Sequence, residues 1–235
     1  MYDPIRVIDF ETTGTDPETS AICEIGWCDV VGERVVVPEY AGGLTNPGQP
    51  IPPEARAIHH ISNTDIRNAP PPGAVLECAV TPDIAAFAAH NARFEQGYFQ
   101  PAETPWICTY KAALRLWPEA PSHGNQVLRY WLGLDDNADF SPELAMPPHR
   151  ALPDAYVTAH ILREQLRNAS IDDLIRWSAE PALLPTIRFG KHRGTPFSEV
   201  PVDYLEWISR QADMGEDVRH TAQHHIDRRR GNGDV

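Results

Sequence analysis

The chain has 235 residues, of which 42% are hydrophobic and 23% charged, enough for one well-packed domain with some length left over. No apolar run approaches the roughly 18 residues that a membrane helix needs, and the formal net charge of −13 argues against tight, non-specific duplex binding through a broad basic face. It does not exclude a nucleic-acid enzyme whose carboxylates hold divalent metal. Residues 1–184 carry the whole excess of acid, whereas 185–235 are balanced and add four histidines.

The start, MYDPIRVIDF, lacks a basic and an apolar leader segment and enters a strand at 5–10, so the expectation is a cytoplasmic protein without a signal peptide. TGTDPET is a turn, and 21–31 and 33–42 read as two further strands. Prolines open a helix near 52–61, and NAPPPGAV is a loop or a helix start. IAAFAAHN reads as a buried strand, ARFEQGYF as a helix and WICT as a strand. YKAALRLWP is a helix stopped by Pro118, and NQVLRYWLGL a helix ended by Gly133. A polar loop then leads to a helix over 151–168, in which Ala155, Thr158, Ala159, Leu162 and Leu166 share one face. Ser170 is the expected N-cap of the next helix. This order predicts an α/β domain with a mixed central sheet. PALLP, 181–185, reads as a linker between a domain over 1–180 and a small module over 186–230. In that module TIRFGKHRGTPFSEV reads as a β-hairpin, followed by two helices and a loose GNGDV end. Tyr204, Leu205 and Ile208 are expected in its core, and Lys191, His192 and Arg193 form a tip able to touch phosphate. His220 and His224, four apart on a helix, can chelate metal but lack a Cys or acid partner. Cys23, Cys28, Cys78 and Cys108 show no metal spacing and read as reduced, mostly buried thiols.

Three segments carry chemistry. In VIDFETTG, Asp9 and Glu11 lie two apart at the end of a buried strand and so share a face. Carboxylates that close repel unless a proton or cation lies between them, and oxygen donors suit Mg²⁺ or Mn²⁺. An acid pair at an exposed strand end would look the same. In HNARFEQGYF, Glu95 lies one turn into a helix after a strand. In HRALPDA, His149 sits on the loop before a helix and Asp154 in its first turn. A spacing of five does not align them on one helical face, so His149 must reach over from the loop.

VIDFETTG, AHNARFE and HRALPDA, in this order, resemble the three motifs of the DEDDh group of 3′→5′ exonucleases, over roughly residues 4–167. AIHHIS resembles the family's Ile-His-Gly segment, with His60 in place of Gly; SHGNQVL and FGKHRGTPFSEVPVDYLEWI narrow the resemblance to the exonuclease X subgroup. The resemblance implies a ribonuclease H-like fold and a two-metal site of Asp9, Glu11, Glu95 and Asp154, with Mg²⁺ or Mn²⁺ as the ions. It implies His149 as general base, a role for which a reference pKa of about 6.5 suits an imidazole. It also implies that Thr12, Ile58, His59, Asn91 and Phe94 line the terminal nucleotide, with little base preference. The expected substrate is DNA with single-stranded or frayed 3′ ends, cut to nucleoside 5′-monophosphates. The alternatives are an RNA 3′ exonuclease and an inactive nucleic-acid-binding adaptor. A homodimer is compatible with the sequence, which carries no pattern for one. Two departures stand out. Glu95 replaces the family's Asp and carries its carboxylate about 1.5 Å farther out. Thr15 and Asp16 stand where relatives place an apolar wedge, which bears on activity at blunt duplex ends.

Overall fold

The computed structural model describes residues 3–101 and 103–231. Its sheet is built around β1 (Ile5–Thr12) and β2 (Ile22–Val31), which pair antiparallel over their whole length. β3 (Arg34–Val36) and β4 (Gly42–Leu44) both pair with β2, whereas β5 (Ala86–Ala89) and β6 (Trp106–Cys108) extend the sheet in parallel on the other side of β1. The order is β3-β2-β1-β5-β6, with β4 beside the start of β2. This is the mixed α/β sheet expected from the sequence. β4 was not foreseen, because a Gly-Gly-Leu triplet has no strand pattern. It forms because β2 is long enough for Glu24–Gly26 to pair with β4 and Asp29–Val31 with β3. The strand expected over 33–42 is therefore formed only at Arg34–Val36, and β4 begins at its last residue.

The described residues form nine helices, α1 (Pro53–His59), α2 (Pro72–Ala79), α3 (Arg93–Tyr98), α4 (Thr109–Leu116), α5 (Asn125–Trp131), α6 (Ala151–Leu166), α7 (Ile171–Ala179), α8 (Val202–Ser209) and α9 (Glu216–Gly231), of which the last two pack on each other away from the sheet. The period-two alternation of β1 sorts its side chains between two cores. Ile5 and Val7 pack with Cys28, Ile107, Tyr156, Val157 and Leu162 beneath α6. Ile8 and Phe10 pack with Trp27, Phe87, Val75 and Ala79 beneath α2, with Phe94 and Tyr98 of α3 at the edge. A strand covered on both faces loses the polar alternation of a surface strand, which is why Val7 and Ile8, on opposite faces, are both apolar.

α6 lies against β1 and β2, and Gly26 sets how closely. A Cβ at Gly26 would fall 2.2 Å from the backbone nitrogen of Leu152, so only glycine lets the first turn of α6 rest on the sheet. Gly26 is directly opposite Asp9 in the β1–β2 register. α7 begins as expected, with Ser170 Oγ accepting the Asp173 N–H at 3.1 Å.

Residues beyond 181 have a core of their own, made of Ile187, Phe197, Val200, Leu205, Ile208, Ala222 and Ile226, with Tyr204 packed at its edge. The preceding segment is tied to α9: Ala182 N–H donates to Asp217 and Leu184 N–H to Thr221 Oγ1. The hairpin expected over 186–200 is short and irregular. One antiparallel bridge, Thr186 to Pro196, with Ile187 N–H donating to Thr195 O at 3.0 Å and Phe197 N–H to Pro185 O at 3.0 Å, closes a loop containing a 3₁₀ turn at Gly190–His192, and a second, Phe197–Glu199, follows it. Gly190 and Gly194 take positive φ, and Pro196 has no N–H to extend a ladder. His220 and His224 belong to no cluster of three donors among the described residues. All four cysteines are free; Cys78 is exposed and the other three are buried. Among the described residues no helix is long and apolar enough to cross a membrane. The GNGDV end lies, past Gly231, outside them.

Candidate active site

Odd-numbered residues of β1 face α6, so the strand that buries Ile5 and Val7 delivers Asp9 and Glu11 to the α6 side at its C-terminal end. Pro153 is accommodated in the first turn of α6, and Asp154 in the same turn points back at β1. Asp9, Glu11 and Asp154 each place one carboxylate oxygen within 4.8 Å of the others. His149 precedes α6 with φ of 60°, and its N–H donates to Asp154 Oδ2 at 2.8 Å. Its side chain is exposed at the rim.

Glu95 enters from α3, after the left-handed turn at Asn91 (φ 74°). It is 2% exposed, and its Oε2 is buried without a hydrogen-bond partner. It lines the same cavity but stands outside the close trio. Every residue singled out from the sequence, namely Asp9, Glu11, Thr12, Ile58, His59, Asn91, Phe94, Glu95, His149 and Asp154, lies on the wall of this one cavity of about 470 Å³. Two of them are turned to structural use. Thr12 Oγ1 donates to Gly14 O at 2.5 Å, and the buried His59 accepts the Ile61 N–H on Nδ1 at 3.0 Å. The hydrogen of His59 therefore sits on Nε2, which faces Cys23 Sγ at 3.8 Å. His60, standing where the family has Gly, takes φ 60° to end α1.

The electrostatics are those of too many acids in too little water. Burial, and then the charges of Asp154, Glu11, Glu95 and Glu24, hold Asp9 well above the usual carboxylate range. Glu11 is pushed up to about 8, by burial first and then by Asp154 and Glu24, with Arg150 pulling the other way. Burial, aided by Glu11, also pushes Glu95 to about 8 against a hydrogen bond from its own backbone N–H. Asp154 is raised by burial despite hydrogen bonds from the His149 N–H and Gln126. The donor set fits a hard divalent cation: clustered carboxylate oxygens on rigid elements, an unpartnered buried oxygen, and repulsion that a cation would relieve.

The sequence reading missed the residues that brace this site. Glu24, opposite Glu11 on β2, accepts from Arg150 Nε at 2.9 Å and Nη2 at 2.5 Å and from the Ala151 N–H at 3.0 Å. This clamp anchors the loop carrying His149 and caps the start of α6. Asn125 and Gln126 of α5 bond the Asp154 carbonyl and carboxylate. His90, on the cavity wall, donates from Nε2 to His123 O at 2.8 Å and is kept neutral by burial, its pKa pushed down to about 4. The available signal for Glu24 was an acid inside an otherwise apolar strand, CEIGW.

A mixed sheet whose central strand ends in clustered acids under a histidine-bearing loop is the framework of an exonuclease. Residues 7–162 match the family profile described as Exonuclease (RNase_T), and the chain belongs to that family, as a DEDDh-type, ribonuclease H-like member. It is 32% identical over 231 residues to Exodeoxyribonuclease 10 of Escherichia coli strain K12, covering 95% of this chain and 99% of that protein. It is 31% identical over 206 residues to a putative bifunctional exonuclease/endonuclease protein of Mycobacterium tuberculosis, covering 77% of this chain and 29% of that one. Among solved structures, exonuclease X in complex with 5′-overhanging duplex DNA superposes with a TM-score of 0.64 at 30% identity, covering 74% of this chain and 99% of that one. The nuclease domain of 3′hExo bound to rAMP shares the fold, with a TM-score of 0.57 at 17% identity over 72% of this chain and 94% of that one.

Proposed function

We propose that the protein is a 3′→5′ exodeoxyribonuclease that removes nucleoside 5′-monophosphates from single-stranded or frayed DNA ends. The observation that carries this is the meeting of Asp9, Glu11 and Asp154 within 4.8 Å in a cavity that Glu95 and His149 also line. The choice of DNA rests on the relatives named for it. Asp9, Glu11, Asp154 and Glu95 would hold two divalent cations, Mg²⁺ or Mn²⁺. Such ions supply positive charge to the attacking and leaving oxygens of an in-line displacement at phosphorus. His149, on the solvent side, takes the proton of the attacking water. The His149 N–H bond to Asp154 couples the loop carrying the base to a ligand, so base and phosphate are aligned by one element. Ile58, 54% exposed, and the half-buried Phe94 offer apolar surface to the terminal base, with Asn91 on the same cavity wall, and apolar stacking of this kind accepts any base. Catalysis is assigned to residues 1–180, and 186–230 form a separate module with its own core.

The test uses 5′-labelled DNA and RNA oligonucleotides with Mg²⁺ or Mn²⁺. A ladder shortening from the 3′ end, faster on DNA and abolished by Asp9→Ala, is the expected result. Binding without cleavage in either metal would overturn the enzyme reading, and faster RNA cleavage would overturn the substrate assignment.

A further inference from the structure

The module after residue 181 contains an aromatic group that its core does not use. On α8, Leu205 and Ile208 are buried, but Trp207 remains 46% exposed. Trp207 and Tyr204 stack, with ring centroids 5.2 Å apart and planes at 30°. His192 meets the Tyr204 ring edge-on at 4.6 Å, and Lys191 Nζ lies 5.2 Å from its centroid. Gly190 makes this contact possible: a Cβ there would fall 2.6 Å from the Tyr204 hydroxyl. The 3₁₀ turn is thus built against the aromatic pair rather than being a loose tip.

The turn built against the stack carries cations that are free of ion pairs. Of the two lysines in the chain, Lys111 is committed to the carbonyls of Ser178 and Glu180. Lys191 and Arg193 are exposed and form no ion pair among the described residues. Of the acids on α8, Glu206 is paired with Arg210 and Arg230, whereas Asp203 accepts only the Tyr204 N–H and keeps its charge. An accessible aromatic face beside uncommitted cations is the combination that holds single-stranded nucleic acid, stacking bases and neutralising phosphates without reading sequence.

We infer that Tyr204 and Trp207, with Lys191 and Arg193, form a platform for single-stranded DNA outside the catalytic cavity. The choice of DNA rests on the function proposed above. Without metal, the cavity, lined by carboxylates, gives a polyanion little purchase. A grip on the strand at a distance supplies affinity that the catalytic end cannot, and raises the effective concentration of the 3′ end there.

The experiment compares the full chain with Trp207→Ala, Trp207→Phe and Lys191→Gln, on a 20-nucleotide single strand and on a dinucleotide. Trp207→Ala is expected to raise KM for the long strand by about 5- to 100-fold with kcat unchanged. The dinucleotide kinetics stay as in the wild type, Trp207→Phe retains most of the affinity, and Lys191→Gln gives a smaller loss that salt erases. Fluorescence anisotropy of the same strand in EDTA should show the matching loss of affinity. Equal changes on both substrates, or unchanged affinity in EDTA, would overturn the platform. If the wild type cut no DNA in either metal, the catalytic reading would fall, while the binding measurement in EDTA would still decide this one.

Discussion

Two ends of one strand treat buried charge in opposite ways. Near its start, Arg6 is opposite Asp29 on β2 and makes two 2.8 Å bonds to it, with a third to the Ala79 carbonyl at 2.6 Å. Near its end, Glu11 is opposite another acid, Glu24. Directly opposed charges in an antiparallel pair stabilise when unlike and destabilise when like. Arg150 satisfies Glu24 but leaves the trio of Asp9, Glu11 and Asp154 without a cation of its own. The sheet can pair a buried charge fully, and at one end it does not. That difference separates a structural ion pair from a site whose missing partner arrives from solution.

The sharpest way to break the comparison is to neutralise one member at each end. Asp9→Asn should lower kcat by about 10²–10³-fold or more, yet raise the melting temperature of the metal-free protein, because it removes a repelling buried charge. Asp29→Asn should do the reverse, leaving Arg6 buried and half-paired at a cost of about 3–5 kcal/mol. Steady-state kinetics and thermal melts of both variants check this crossing pattern, and a stability loss in Asp9→Asn would erase the contrast.

Glu95 gives the next effect. Glu95→Gln should lose most activity and Glu95→Asp should keep it, with the ratio of Mg²⁺- to Mn²⁺-supported rates altered; wild-type rates in Glu95→Gln would remove it from the ligand set. Glu24→Gln should cost about 10- to 100-fold in kcat with little change in KM, because it loosens the loop carrying His149 without touching substrate.

The smallest effect is in pH. Burial pushes His90, His160 and His225 down to about 4, so their contribution to stability grows as pH rises and is complete above about 6.5. Glu11 and Glu95, raised to about 8, act oppositely: their stability is present below about 4.5 and lost as pH climbs through 8. Between pH 6.5 and 8 the acids change more than the histidines, so the melting temperature in EDTA should fall by a few degrees. Mg²⁺ should raise it more at pH 8 than at 6.5, and Asp9→Asn should flatten the fall.

Much of this was legible in the sequence where period and position coincide. VIDFETTG fixes both a buried strand and the face of its acids, because alternation does the sorting. Ser170 announced a helix that the structure caps with that side chain. The bracing was illegible for a physical reason: Glu24 and Arg150 lie 126 positions apart, and nothing local distinguishes a clamped acid from a solvated one. The hairpin over 186–200 is shorter than its sequence suggests because glycine and proline announce turns without stating how many, and here two 3₁₀ turns leave room for a single bridge. Tyr204 was expected in the core, and its helical spacing could not tell an edge contact from a surface stack.

The glycine behind the site has one more consequence. With Leu152 N only 2.2 Å from where a Cβ at Gly26 would sit, the gap between sheet and helix is a gauge block. It fixes the span from Asp154 to Asp9 without touching either carboxylate. Mg²⁺ asks for oxygens at about 2.0–2.1 Å and larger divalent ions for about 2.3–2.6 Å. Gly26→Ala would therefore move Asp154 away from Asp9 and Glu11, which share β1, and shift the preferred ionic radius upward, from a position where no ligand is changed.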